Sequence, residues 1–177
     1  MLIRTDEKVA SRRVVLGLGN LLLCDDGLGV HAIWALEGRL PGWELIDGGT
    51  KGFFLLPYLQ VAEALLIVDA IHLGREPGTS HFFDAHVLDW QHQVALGSHD
   101  LGLLELLRTL RLQKSMPKWT WVVGLEPASL EWGATLSPKL EEALPGLLET
   151  ILALAGTIQD ISLSPNPSFP IIENHSQ

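Results

Sequence analysis

The chain has 177 residues, 47% of them hydrophobic and 19% charged, which fits one compact globular domain and excludes a disordered chain. Its formal net charge is −9. Nucleic acid and anionic membranes are therefore poor partners, since both need a cationic surface.

The single cysteine, Cys24, rules out an intrachain disulfide and suits a reducing compartment. The N-terminal stretch MLIRTDEKVASRR is charged and lacks an apolar signal core. No uninterrupted apolar run approaches the roughly 20 residues of a membrane span. A soluble, cytoplasmic protein is expected.

After a polar leader over 1–12, Arg13–Leu18 reads as a strand that enters a tight turn at Gly17 and Gly19. Paired acids follow, Asp25 and Asp26, flanked by Gly27 and Gly29. Val30, Ile33 and Trp34 then take up helical spacing. That helix is predicted from about Gly27 to Leu40, with its stop at Pro41-Gly42. Trp43–Ile46 is a second strand, closed by Asp47-Gly48-Gly49-Thr50. Phe53, Leu56 and Leu59 mark a weaker amphipathic segment that Pro57 confines to its first turns. Ala64–Val68 is continuously apolar, as a central parallel strand covered on both faces should be, and it ends at Asp69.

Beyond a turn at Glu76-Pro77-Gly78, Thr79–Asp84 reads as an antiparallel edge strand. Leu103, Leu106, Leu107 and Leu110 mark a strong helix from about His99 to Leu112. Trp119–Gly124 is the last strand. Ser137-Pro138 is a helix start, with Ser as N-cap and Pro at the first helical position. Leu140, Leu144, Leu147, Leu148 and Ile151 continue that helix, and Pro145 within it predicts a kink or restart. From Thr157 onward Ser, Pro and Asn dominate. One domain over residues 1–156 with a loosely ordered tail over 157–177 is expected.

Alternating strands and helices imply a three-layer α/β/α sandwich on a mostly parallel five-stranded sheet. Right-handed crossovers favour a strand order such as 2-1-3-4-5. The first and third strands are then neighbours, and Asp26 and Asp69 face one crevice at their carboxyl ends. His99 is the third candidate. A helix N-terminus disfavours the imidazolium form, which suits metal ligation, while Asp100 pulls the other way. Two carboxylates and an imidazole form a mixed O/N set suited to a borderline divalent transition ion. Each residue also has a plain structural account: Asp26 as a helix cap, Asp69 as a strand-end turn acid, His99 as a hydrogen-bonding residue near a helix start.

Rival sites are weaker. Gly17-Leu18-Gly19 starts like a dinucleotide fingerprint, but Leu22 stands where its third glycine should be. His81, His86 and His92 read as solvated edge-strand histidines, and a separation of five positions puts the first two on opposite faces of an unbroken strand. Cys24 reads as a small buried residue. The six tryptophans are scattered, which suits packing better than ligand stacking.

The ordered set GLGNLLLCDDGLGV, IDGGT, IVDA, SHDLGL and VGLEP resembles the nickel-iron hydrogenase maturation proteases, over about Val14 to Leu154. These endopeptidases trim the C-terminus of the hydrogenase large-subunit precursor. The resemblance implies an α/β/α sandwich with a twisted five-stranded sheet. It also implies a metal-binding and catalytic triad of Asp26, Asp69 and His99, and a substrate-recognising turn at Asp47, Gly48, Gly49 and Thr50. The nickel is expected to arrive with the substrate rather than to be held permanently. One departure is Asp100, since Gln often follows the histidine in the family. An alternative is a nickel-dependent escort that binds the precursor without cutting it.

Overall fold

The structure is a computed structural model that describes residues 12–87 and 101–163. Five strands form one sheet in the order β2-β1-β3-β5-β4. They are β1 (Arg13–Leu18), β2 (Glu44–Gly49), β3 (Ala64–Ala70), β4 (Ser80–Asp84) and β5 (Trp119–Leu125). The helices are α1 (Leu28–Leu36), α2 (Leu56–Leu59), α3 (Leu101–Leu112) and α4 (Pro138–Leu163). A 3-10 turn at Cys24–Gly27 leads directly into α1.

β3 lies at the centre, parallel to both β1 and β5. All seven of its residues are buried, which explains its unbroken apolar run: both faces need apolar cover. On one side, α1 and α4 supply Leu28, Ile33, Leu36, Leu147, Ile151 and Ile158 to a core with Val15, Leu66 and Val68. On the other, Leu59 of α2 and Leu103, Leu106, Leu107 and Leu110 of α3 cover Val14, Leu16, Leu65 and Ile67. Burying each such leucine contributes about 1.5–3 kcal/mol. The three-layer α/β/α sandwich is thus the observed architecture.

The helix–sheet contact is closest at α1. A Cβ built on Gly17 would stand 2.2 Å from the Gly29 carbonyl oxygen. A Cβ on Gly29 would stand 2.2 Å from the Val68 oxygen and 2.3 Å from the Leu18 oxygen. Main chain therefore meets main chain there, and only glycine allows it.

Four details depart from the sequence reading. β5 is inserted between β3 and β4, so the order is 2-1-3-5-4 rather than 2-1-3-4-5. The edge strand β4 is antiparallel as expected, and it pairs with β5, Ser80 opposite Leu125 and Asp84 opposite Trp121. α1 stops at Leu36 rather than Leu40, because Gly38 at φ 74° turns the chain first. α4 runs continuously through Pro145, which forgoes one main-chain hydrogen bond without a restart. The same helix continues to Leu163, seven residues into the expected tail. Ile158 and Ile161 extend its buried stripe there, beneath a polar composition that hides it. Residues 164–177 lie outside the described residues.

By length and composition α4 could cross a bilayer. Its apolar side instead packs on β5, β3 and α1, which accounts for that composition.

Candidate active site

The carboxyl ends of β1 and β3 form the rim of interest. β1 leaves the sheet at Gly19, whose φ is 125° and whose added Cβ would stand 1.6 Å from the Asp26 oxygen. The returning loop, not a phosphate, thus demands this glycine, and the dinucleotide reading loses its main support. Asn20 then organises the loop. Its side-chain Oδ1 accepts the Leu22 N–H at 3.0 Å, and its carbonyl accepts the Leu23 N–H at 3.0 Å. Asp26 closes the loop, with Oδ2 accepting the Asn20 N–H at 2.8 Å. It does not cap α1: Gly27 holds the N-cap position, without a side-chain cap bond.

Asp69 is the sixth of the seven β3 residues, 6% exposed, and its Oδ1 accepts the Ala70 N–H at 2.9 Å. The Cys24–Gly27 turn packs against β3. Three residues past Asp26, Gly29 touches Val68, the residue before Asp69. These contacts bring Asp26 and Asp69 to one rim. His99 and Asp100 lie outside the described residues, so the third member of the expected triad is not placed. Among the described residues, no group of three or more His, Cys, Asp or Glu could by itself hold a metal ion.

The Asp47–Thr50 turn borders the same rim. β2 runs through Gly49 rather than stopping at Ile46, and a register shift opposite Gly17 and Leu18 brings Gly49 beside Leu18. The Gly49 carbonyl accepts the Gly19 N–H at 3.0 Å. Asp47 and Thr50 are exposed.

Asp25, the other half of the acidic pair, has a different environment. It is fully buried. Its Oδ2 accepts the Ala128 and Ser129 N–H groups at 2.8 and 3.0 Å and the Ser137 hydroxyl at 2.9 Å. Its Oδ1 accepts the Ser137 N–H at 2.7 Å. Asp25 therefore ties the site loop to the start of α4, where Ser137 is the N-cap as expected. Next to this joint, Cys24 is half-buried in the left-handed conformation at φ 43°, and its N–H donates to the Gly133 oxygen at 2.8 Å. The Gly133 N–H in turn donates to the Leu22 oxygen at 3.0 Å. This pairing holds Leu22 and Trp132 out in solvent, 57% and 82% exposed. Trp43 and Trp121 are buried as packing requires, whereas Trp132 is not.

Of the edge-strand histidines, His86 is exposed as expected and His81 is not. His81 is not solvated: it is 8% exposed, and its Nε2 lies 2.8 Å from Oε2 of Glu126. His86 lies beyond the end of β4, so alternation along a strand does not relate it to His81. Its Nε2 lies 3.0 Å from the Pro117 carbonyl oxygen. His92 lies outside the described residues. Glu126 is 1% exposed and gathers a second imidazole, with Nδ1 of His72 2.9 Å from its Oε1. It also accepts the N–H groups of Leu73, at 3.0 Å, and Gly74, at 2.9 Å. Burial alone would raise its pKa. The bonds from the Leu73 amide, the His81 ring and the Gly74 and Arg75 amides outweigh that, and the carboxyl sits below its usual range. Sequence reading missed Glu126, although it stands in the quoted VGLEP segment.

A family model described as hydrogenase maturation protease matches residues 30–154, which span Asp47, Asp69 and His99. The hydrogenase 2 maturation protease of Escherichia coli K12 is 38% identical over 146 residues, covering 80% of this chain and 89% of that protein. The hydrogenase expression/formation protein HupD of Bradyrhizobium diazoefficiens is 33% identical, over 76% of this chain and 72% of that one. Among solved structures, the E. coli hydrogenase maturating endopeptidase HybD superposes with a TM-score of 0.69 at 34% identity, covering 81% of this chain and 91% of that one. With the fold and these relatives in agreement, the chain belongs to the hydrogenase maturation protease family, a family of endopeptidases.

Proposed function

We propose that this endopeptidase removes the C-terminal extension of a nickel-loaded hydrogenase large-subunit precursor, reading the nickel as the signal that the precursor is ready. The observation that supports the reading is the packing of the Cys24–Gly27 turn, which carries Asp26, against β3, which carries Asp69, together with the Gly29–Val68 contact. Asp26, Asp69 and His99 would grip the nickel from the protease side, two oxygen donors and an imidazole suiting such an ion. The metal belongs to the substrate and leaves with it.

In the cleavage step, water attacks the scissile carbonyl carbon. A C–O bond forms, the C–N bond breaks, and the water's proton passes through one of the two carboxylates to the departing amine. Nickel would polarise the carbonyl or the water. The Asp47–Thr50 turn, with Asp47 and Thr50 exposed, is suited to contact the precursor chain. Neither nucleic acid nor membrane takes part, and the work is assigned to the cytoplasm.

The test is to incubate nickel-loaded and nickel-free precursor with the purified protein and read precursor mass. Loss of one defined C-terminal peptide from the loaded form alone supports the reading. An intact mass in a stable complex overturns it in favour of an escort. Cleavage of both forms at equal rates overturns the nickel signal.

A further inference from the structure

We propose that Glu126 is a positioning residue for the Asp69 side of the rim, an inference that rests on the proposed role of Asp69. The chain leaves β3 directly after Asp69 and Ala70 and must be held while it turns away. The Ile71 N–H still reaches the Leu125 oxygen at 2.9 Å, the last rung beside β5. The next groups all converge on one side chain, that of the residue following Leu125. Leu73 and Gly74 donate their N–H groups to the Glu126 carboxylate, and the ring nitrogens of His72 and His81 lie within 2.9 Å of it. An ionised carboxylate only accepts, so both rings donate.

The main chain of Glu126 is fixed as well. Its N–H donates to the Thr79 oxygen and its carbonyl accepts the Gly78 N–H, each at 2.8 Å. One buried carboxylate therefore fastens the end of β5, the segment leaving Asp69, and β4 into one rigid corner. Glu126 touches no reacting atom. It acts by keeping the Asp69 end of β3 from fraying, as groups behind a metal ligand fix the ligand's aim.

The experiment uses the full chain and nickel-loaded precursor, comparing wild type with Glu126→Gln and Glu126→Leu at a temperature where circular dichroism shows all three folded. The expected order of kcat is wild type, then Gln, then Leu, with the Leu variant down by about tenfold or more and KM within about twofold. A purely structural role would lower active fraction without this ordering at full folding. If the Leu variant does not fold, the Gln variant decides: kcat equal to wild type overturns the proposal. Hydrogen exchange at the Leu73 and Gly74 amides supplies a readout independent of cleavage. Exchange faster by about tenfold in Glu126→Gln supports the clamp, and unchanged exchange overturns it. A wild type that leaves precursor intact while these amides respond as expected refutes the cleavage reading and leaves the clamp standing.

Discussion

Asp25 and Asp26 are chain neighbours with opposite employment. Asp25 is sealed from solvent, and four hydrogen bonds join it to residues 103 to 112 positions away. Asp26 is half-buried, and its side-chain bond is local, accepting the Asn20 amide six residues back. The first acid spends its accepting capacity on the fold. The second keeps capacity for something outside it. A doubled acid in a loop thus need not be a doubled site: one carboxylate can hold the loop still so that the other can be presented.

Breaking the presented acid should have the largest effect. Asp26→Asn keeps an oxygen for the Asn20 N–H but removes the charge. Precursor cleavage is expected to fall at least about a hundredfold, with thermal unfolding within about 2 °C of wild type, as a processing assay beside calorimetry will show. Asp25→Ala should do the reverse. It strands several buried donors, each costing about 1–3 kcal/mol, so a loss of about 3 kcal/mol or more is expected in urea unfolding. That corresponds to a drop in Tm of about 6 °C or more. Comparable losses of activity at full stability in both variants would erase the contrast.

A third buried carboxylate sharpens it through pH. The pKa of Glu126 is lowered in the fold, so its contribution to stability is fully present above the ordinary carboxyl range near about 4.3. It is lost as pH falls through that range toward the folded value. The stability gap between wild type and Glu126→Gln should therefore be widest near neutrality and narrow below about pH 4, read by thermal unfolding across pH. The smallest effect belongs to an exposed pair. Arg12 bonds Glu44 at 2.7 and 2.9 Å on the surface, and Arg12→Ala should cost under about 1 kcal/mol.

The sequence was legible where the physics is local. β3 announced itself by an apolar run, and Ser137-Pro138 announced α4, because burial on both faces and helix capping leave marks on adjacent residues. The order of β4 and β5 left none, since periodicity records which face is apolar but not which strand lies alongside. Asp25 was opaque because its partners are mostly main-chain N–H groups, which every residue but proline carries. His81 was misread as solvated because its partner, Glu126, stands 45 residues away. Asp26 and Asp69 were expected to face one crevice; Asp69 stands near the end of β3, and Asp26 lies in the turn that packs on β3. His99 lies outside the described residues.

The contact of Gly29 with the Val68 and Leu18 carbonyls has an evolutionary consequence. Peptide planes, not side chains, set the gauge between the two acid-bearing segments. Either apolar layer can drift in composition, trading leucine for isoleucine or methionine, without retuning that gauge. A single methyl added at position 17 or 29 would pry the helix off the sheet and widen it.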